Sequence, residues 1–263
     1  MAGKRGLIMG VANNKSIAWG IADMLGQHGA EMAFTCQGEA LEKRVRPLAE
    51  SVGSDLVLQC DVEDETSVAQ VFDSLSGRWQ GLDFIVHAIA YSDKDELKGS
   101  YLQTTRGNFL RTMDVSCYSF TDIARRAAPM MTAGGSLLSL SFSGATKVVP
   151  NYNVMGVAKA ALEASIRYLA VDLGPQNIRV NAISAGPMRT LAGSAIGGAR
   201  HILRWSQEHA PLERELQLED IGGAALYLLS DLSRSVTGEV HHVDSGFNIV
   251  GIPASSPGDN GDG

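Results

Sequence analysis

The first third of the chain carries four short apolar runs, at 6–10, 31–36, 55–60 and 82–87, and none of them alternates polar with apolar residues. Strands buried on both faces of a parallel sheet read this way. Helix-like segments lie between them: 17–25, with Ser16 placed to cap it, a charged stretch over 39–50, and 66–75. Strand, helix and strand in that order is the βαβ unit. Further along, 105–131 reads as one long helix, 136–141 as a fifth strand, 178–184 as a sixth, 220–229 as a helix and 238–243 as the last strand. The pattern predicts one doubly wound α/β domain over residues 1–252, with a parallel sheet of about seven strands and helices on both faces. The segment 186–211, rich in Ala, Gly and Ser, is expected to form a mobile helix–loop. The polar tail 253–263 has nothing to bury and is expected to be disordered.

One further helix, predicted over 150–163, organises the rest. Pro150 suits a first helical turn, where its missing N–H would go unpaired anyway, and Val154, Val157, Ala161, Ile166 and Leu169 give an apolar stripe. Tyr152 and Lys159 are seven residues apart, almost two turns, so both leave one face about 10 Å apart along the axis. Gly156 lies between them, leaving a phenol, an ammonium and no side chain in between. A flat ligand could lie against that surface. The same spacing also arises by chance on amphipathic helices, so the remaining loops decide.

Composition changes this picture mainly by exclusion. Of 263 residues 44 % are hydrophobic, enough for a substantial core, and the formal charge of −7 argues against a general nucleic-acid binder. No apolar run reaches the roughly 18–20 residues that span a bilayer, and the N-terminus has no secretory apolar region. Cys36, Cys60 and Cys117 are odd in number and far apart, with no spacing that suits a metal site or a disulfide framework. The expectation is a soluble, reduced, cytoplasmic protein without a metal.

In a doubly wound sheet of the Rossmann type, ligands bind beyond the carboxyl ends of the strands. Gly10 follows the first strand, with Ser16, Ile17 and Gly20 opening the next helix, a spacing that differs from G-x-G-x-x-G but serves the same needs. Gly10 lets the chain turn, helix N–H groups can face a pyrophosphate, and Gly20 lets the helix pack closely on the sheet. Gln37 follows the second strand, where an acidic residue would hold a ribose hydroxyl and an Arg a 2′-phosphate. Asp61 and Val62 follow the third and suit an adenine, although Asp61 also suits a plain turn. Ala88 and Ile89 offer small residues after the fourth.

These stretches, together with Pro150-Asn151-Tyr152-Asn153-Val154-Met155-Gly156, Arg179-Val180-Asn181-Ala182-Ile183-Ser184-Ala185-Gly186-Pro187 and Val240-His241-His242-Val243-Asp244-Ser245-Gly246-Phe247, resemble the bacterial NADH-dependent enoyl-[acyl-carrier-protein] reductases. That family is a divergent branch of the short-chain dehydrogenase/reductases, and the likeness runs from about residue 4 to residue 252. Its most specific element is Tyr-x6-Lys. Most of the superfamily uses Tyr-x3-Lys, and here Met155 stands four before Lys159.

The resemblance implies reduction of trans-2-enoyl thioesters by NADH in fatty acid elongation. Tyr152 would hydrogen-bond the thioester oxygen and Lys159 would hold the nicotinamide ribose. Met188, Thr190, Leu191 and Ala192 would line the cofactor, and Ser92, Phe142, Tyr152 and Met155 the substrate. The segment 186–211 would cover the substrate. Phe142 stands where the family often has a second Tyr, so a second phenol is absent. An acyl carrier protein would dock on Arg189, Arg200, His201 and Arg204, and a homotetramer is implied. Two readings compete: a short-chain reductase acting on a 3-oxoacyl thioester, and a dinucleotide-binding scaffold without turnover.

Because nothing beside Gln37 complements a 2′-phosphate, catalytic efficiency with NADH should exceed that with NADPH at matched salt, and Gln37→Arg should narrow the gap. Equal efficiencies in steady-state assays would overturn the expected preference.

Overall fold

The computed structural model describes residues 1–190, 193 and 197–252. Seven strands form one sheet: β1 (Arg5–Met9), β2 (Glu31–Cys36), β3 (Val57–Gln59), β4 (Phe84–His87), β5 (Gly135–Ser141), β6 (Ile178–Ala185) and β7 (Val240–Val243). Their order across the sheet is β3-β2-β1-β4-β5-β6-β7, and every pairing is parallel. The chain steps outward from β1 to β3, then returns to the other side of β1 as β4. The loops after β1 and β4 therefore part company, which opens the crevice where such sheets take ligands.

The absence of alternation in the strands follows from burial on both faces. Leu7, Met9, Ile85 and Leu137 face one apolar core, while their neighbours Ile8, Phe84, Val86 and Leu138 face the other. α3 (Glu65–Arg78), α5 (Ser119–Ala127) and α6 (Asn153–Leu173) cover the first face. α1 (Ile17–Gln27), α2 (Glu39–Ser51) and α8 (Leu218–Leu229) cover the second. α4 (Arg106–Met113) precedes α5, and α7 (Ala199–His209) lies within the segment expected to be a helix–loop. Residues 253–263, expected to be a disordered tail, lie outside the described residues.

Three local expectations are corrected. The helix predicted over 105–131 is interrupted by a π turn, Asp114–Tyr118, and ends in a 3-10 turn, Ala128–Met130. The interruption brings two hydroxyls to the end of β4: Ser116 bonds both the N–H and the carbonyl of Tyr91, and Ser119 lies 2.9 Å from the Nε2 atom of His87. π turns often serve this way near functional sites. The helix predicted from Pro150 begins only at Asn153, and Val157 of its stripe is exposed. The buried side instead carries Val154, Met155, Ala158, Leu162 and Ile166.

The third correction concerns Gly20, which faces α8 rather than the sheet. A Cβ on Gly20 would lie 2.6 Å from the Cβ of Leu218, and one on Gly222 would lie 2.9 Å from the carbonyl oxygen of Gly20. Two glycines thus set the distance between α1 and α8. Gly222→Ala should destabilise the fold by roughly 1–3 kcal/mol, as overpacking against backbone does. Gly223→Ala, whose Cβ would meet nothing within 4 Å, should instead be neutral or stabilise by about 0.5–1 kcal/mol. Urea unfolding midpoints of the two variants check the contrast; equal shifts would contradict the close helix contact.

Candidate active site

The loop expected to hold the cofactor is built where β1 hands over to α1. Gly10 has φ +99°, and a Cβ there would lie 2.1 Å from the carbonyl oxygen of Ala88, so the chain leaves β1 pressed against the end of β4. Ser16 occupies the N-cap of α1, but its hydroxyl does not cap the helix. It turns back and accepts from the N–H groups of Ala12 and Asn13, at 3.0 and 3.2 Å. The expected cap is therefore absent, because two loop amides take the hydroxyl first. That leaves the leading N–H groups of α1 without a side-chain partner beside a glycine turn, the donor set a pyrophosphate needs. Ile17 packs beneath this turn on the second core.

Gln37 and Asp61 meet: the Nε2 atom of Gln37 donates to Oδ2 of Asp61 at 2.9 Å, while Oδ1 of Asp61 accepts from the N–H of Glu63 at 3.0 Å. Asp61 thus shapes its turn and also fixes Gln37. Lys43 and Arg44 are exposed on α2. Ala88 packs on one core, and Val62 and Ile89 on the other. Met188 is half-buried against the second core, and the Thr190 hydroxyl accepts from the N–H of Gly193 at 2.9 Å. Leu191 and Ala192, expected at the cofactor, lie outside the described residues.

At the end expected to react, Tyr152 is the N-cap of α6 and is flanked by two non-glycine residues with positive φ, Asn151 at 60° and Asn153 at 38°. Each such residue costs of order 1–3 kcal/mol, although Asn bears it better than most. Both amides are tied down. Asn151 donates to the carbonyl of Gly197 at 2.9 Å, and Asn153 to those of Glu96 and Gly99 at 3.2 and 3.3 Å. The turn carrying Tyr152 is therefore clamped from two directions. Asn151 and Asn153 do not stand out in the sequence by residue chemistry; the only signal is two residues tolerant of left-handed backbone around one Tyr.

The surface between Tyr152 and Lys159 is not open, as the spacing suggested. Main chain from Gly144 fills it: a Cβ on Gly156 would lie 2.7 Å from the carbonyl oxygen of Gly144, and one on Gly144 only 2.3 Å from the Tyr152 ring. Phe142 meets Tyr152 edge to face, with centroids 5.0 Å apart. Phe142, Tyr152 and Met155 share a small apolar cluster with Leu97 and Val154. Ser92 is buried, but its hydroxyl is engaged with Asn108.

Burial first, and the charge of Glu163 second, push the Tyr152 phenol well above its usual value. It stays a hydrogen-bond donor at any physiological pH. Lys159 is buried and donates to the carbonyl of Leu140 at 2.7 Å, and burial brings its ammonium down to about 8. Three ammonium donors leave two for a ligand after that bond. Burial, with the charge of Lys159 adding to it, brings His87 down to about 3, so its imidazole is neutral. On the surface, Arg189 pairs with Glu215 and Arg204 with Glu208, so the basic patch expected around them is partly neutralised.

A seven-stranded parallel sheet with a glycine turn and an uncapped helix start beside its switch point, and a Tyr–Lys pair on a helix past β5, is the layout of a dinucleotide-dependent oxidoreductase of the short-chain type. The chain belongs to the enoyl-(acyl carrier protein) reductase family, whose family model matches residues 10–248. It is 64 % identical over 253 residues to "Enoyl-[acyl-carrier-protein] reductase [NADH] 2" of Rhizobium meliloti (strain 1021), covering 96 % of this chain and 94 % of that one. It is 53 % identical over 251 residues to the corresponding NADH reductase of Rickettsia typhi (strain ATCC VR-144 / Wilmington), covering 95 % and 96 %. Among solved structures, FabI from Candidatus Liberibacter asiaticus superposes with a TM-score of 0.95 at 57 % identity, covering 96 % of this chain and 98 % of that one. The reductase of Anaplasma phagocytophilum in complex with NAD gives 0.94 at 60 % identity, covering 97 % of each.

Gly144→Ala should force the Tyr152 ring aside without touching the cofactor end. Turnover should fall about 100-fold, the scale of a displacement near 1 Å, while NADH affinity holds. Fluorescence titration beside steady-state rates separates the two; wild-type turnover would show that the ring tolerates the extra methyl.

Proposed function

We propose that this chain is an NADH-dependent enoyl-[acyl-carrier-protein] reductase of fatty acid elongation, with Tyr152 and Lys159 as its catalytic pair. The observation that carries the reading is the buried phenol of Tyr152, kept protonated, two turns along one helix from a buried ammonium. Bound NADH supplies hydride to the β-carbon of a trans-2-enoyl thioester, and negative charge then builds on the thioester oxygen. The Tyr152 O–H donates to that oxygen where charge develops, which is the form of help that lowers a barrier rather than tightening ground-state binding. Lys159 uses its two remaining donors on the nicotinamide ribose, and its charge favours the same oxyanion. The apolar wall of Phe142, Met155 and Leu97 suits an acyl chain and excludes water.

At the other end, the amides after Gly10 hold the pyrophosphate, with Ser16 and Ile17 shaping their loop. Gln37, Asp61 and Val62 hold the adenosine, and Ala88, Ile89, Met188 and Thr190 lie along the remainder. Leu191 and Ala192 complete this set in the proposal, and Ser92 borders the substrate through the loop it anchors. Residues 1–252 act as one domain, with 186–211 covering the substrate. Met155, at the position of the Tyr in Tyr-x3-Lys, has no hydroxyl, which weighs against carbonyl reduction.

The substrate arrives on an acyl carrier protein, for which Arg200 and His201 on α7 are the docking residues we favour. The exposed side chains of Tyr118, Tyr168 and Val171, large and largely apolar, support a homotetramer. Three buried free cysteines suit the cytoplasm, and no described helix is long and apolar enough to cross a membrane.

Tyr152→Phe should lower reduction of a crotonyl thioester by roughly 10- to 1000-fold and leave NADH affinity nearly intact. Lys159→Ala should weaken both. Phe142→Ala should raise the KM for the thioester, and Phe142→Tyr should leave a working enzyme. NADH consumption with crotonyl against acetoacetyl thioester tests the reaction itself. Full activity in Tyr152→Phe would remove the donor role, and faster acetoacetyl reduction would remove the enoyl reading.

A further inference from the structure

Glu163 is a buried carboxylate that the reaction as described does not use. It stands one turn after Lys159 on α6, on the helix face that packs on the first core, and is 8 % exposed. Its hydrogen-bond partner is the hydroxyl of Ser141, the last residue of β5, which donates to Oε1. The residue before Ser141 is Leu140, whose carbonyl accepts from Lys159. Consecutive residues at one strand end therefore hold both charges, Leu140 by its main chain and Ser141 by its side chain.

A carboxylate buried with one hydroxyl partner is expensive, and an apolar residue of similar size would fill the same space at lower cost. Nothing in the packing of α6 on the sheet needs a charge there. Within its electrostatic reach lie the Tyr152 phenol and the Lys159 ammonium, the latter one turn back on the same helix, where residues four apart have Cβ atoms about 5–6 Å apart. Two other titratable groups reach Lys159 from different elements, His87 from β4 and Cys117 from the π turn, and Tyr152 stands at the start of α6 itself. His87 is neutral, and Tyr152 is a phenol. Glu163 is the carboxylic acid among them, and it stands on the helix of Lys159 itself.

We propose that Glu163 is a positioning residue for the reductase: its carboxylate, fixed by Ser141, is the counter-charge that keeps Lys159 an ammonium and so able to hold the nicotinamide ribose. The inference rests on the reading of Lys159 as the ribose-holding cation. Burial alone favours the neutral amine, and Cys117 first and Glu163 second oppose burial, leaving Lys159 at about 8. The group is charged below that value and is lost as pH rises through it. Without Glu163 the opposition weakens, so the loss must come at lower pH. A merely structural carboxylate would change stability and leave this midpoint where it was.

The test is NADH binding, read by fluorescence titration from pH 6 to 9.5 on the wild type, Glu163→Gln and Lys159→Arg. Glu163→Gln keeps the shape and can still accept from Ser141. Wild-type affinity should fall as pH passes about 8. In Glu163→Gln the fall should come about one pH unit earlier, the smaller end of the effect of an adjacent opposite charge, so affinity at pH 8 should drop several-fold while affinity at pH 6 is nearly unchanged. In Lys159→Arg, whose guanidinium does not titrate here, adding Glu163→Gln should produce no shift. A Glu163→Gln curve that overlays the wild type, or a shift that persists with Arg at 159, overturns the proposal. If Glu163→Gln does not fold, Ser141→Ala carries the test: it frees the carboxylate without removing it, so the midpoint should move the same way by less, and an unmoved midpoint counts against the role. Failure of the wild type to reduce enoyl thioesters would sink the reading of the reaction instead, independently of where these midpoints fall.

Discussion

Lys159 holds a positive charge where water does not reach, and a charge in that position must be answered by fixed dipoles or by an opposite charge. The answers come from the carboxyl end of β5, where the Leu140 carbonyl meets the ammonium and Ser141 secures Glu163. The depth of β5 in the sheet, between β4 and β6, keeps that strand end from moving. The geometry around Lys159 is therefore inherited from a central strand of the sheet. The same burial keeps His87 and Tyr152 uncharged, so the site presents one cation, one phenol and a neutral imidazole.

The second requirement is close approach of main chain. Gly10 brings the end of β1 against Ala88, and Gly144 lies between the Tyr152 ring and Gly156. In both places a side chain would occupy the space that a neighbour's backbone needs. The tethers of Asn151 to Gly197, and of Asn153 to Glu96 and Gly99, then fix the one turn that packing alone would leave strained. Tyr152 is rigid because its neighbours are held, rather than because the phenol itself is bonded.

The strands were legible in the sequence because burial on both faces leaves an apolar run that few other environments produce; β2 occupies the same six residues in both descriptions. The Tyr–Lys pair was legible because its spacing is unusual. What escaped were features set by contacts far away in the chain. The π turn answers to His87 and Tyr91, the start of α6 to two asparagine tethers, and the orientation of Gly20 to α8. Ser16 has the chemistry of a cap, and only the competing loop amides turn it away. Glu163 gave no signal, since a carboxylate's burial cannot be read from its neighbours in sequence.

The position of β1 also bears on how the chain comes to be folded at all. This strand is made first, yet it sits between β2 and β4, and one of its edges stays bare until residues 84–87 have been made. Until then Leu7, Ile8 and Met9, fully buried in the finished protein, line an unpaired strand edge. Such an edge invites pairing with other chains, and parallel pairing across long sequence separations is slow. The arrangement that opens a crevice for dinucleotide thus exposes the nascent chain to aggregation during synthesis, and β4 is the segment whose arrival ends that exposure.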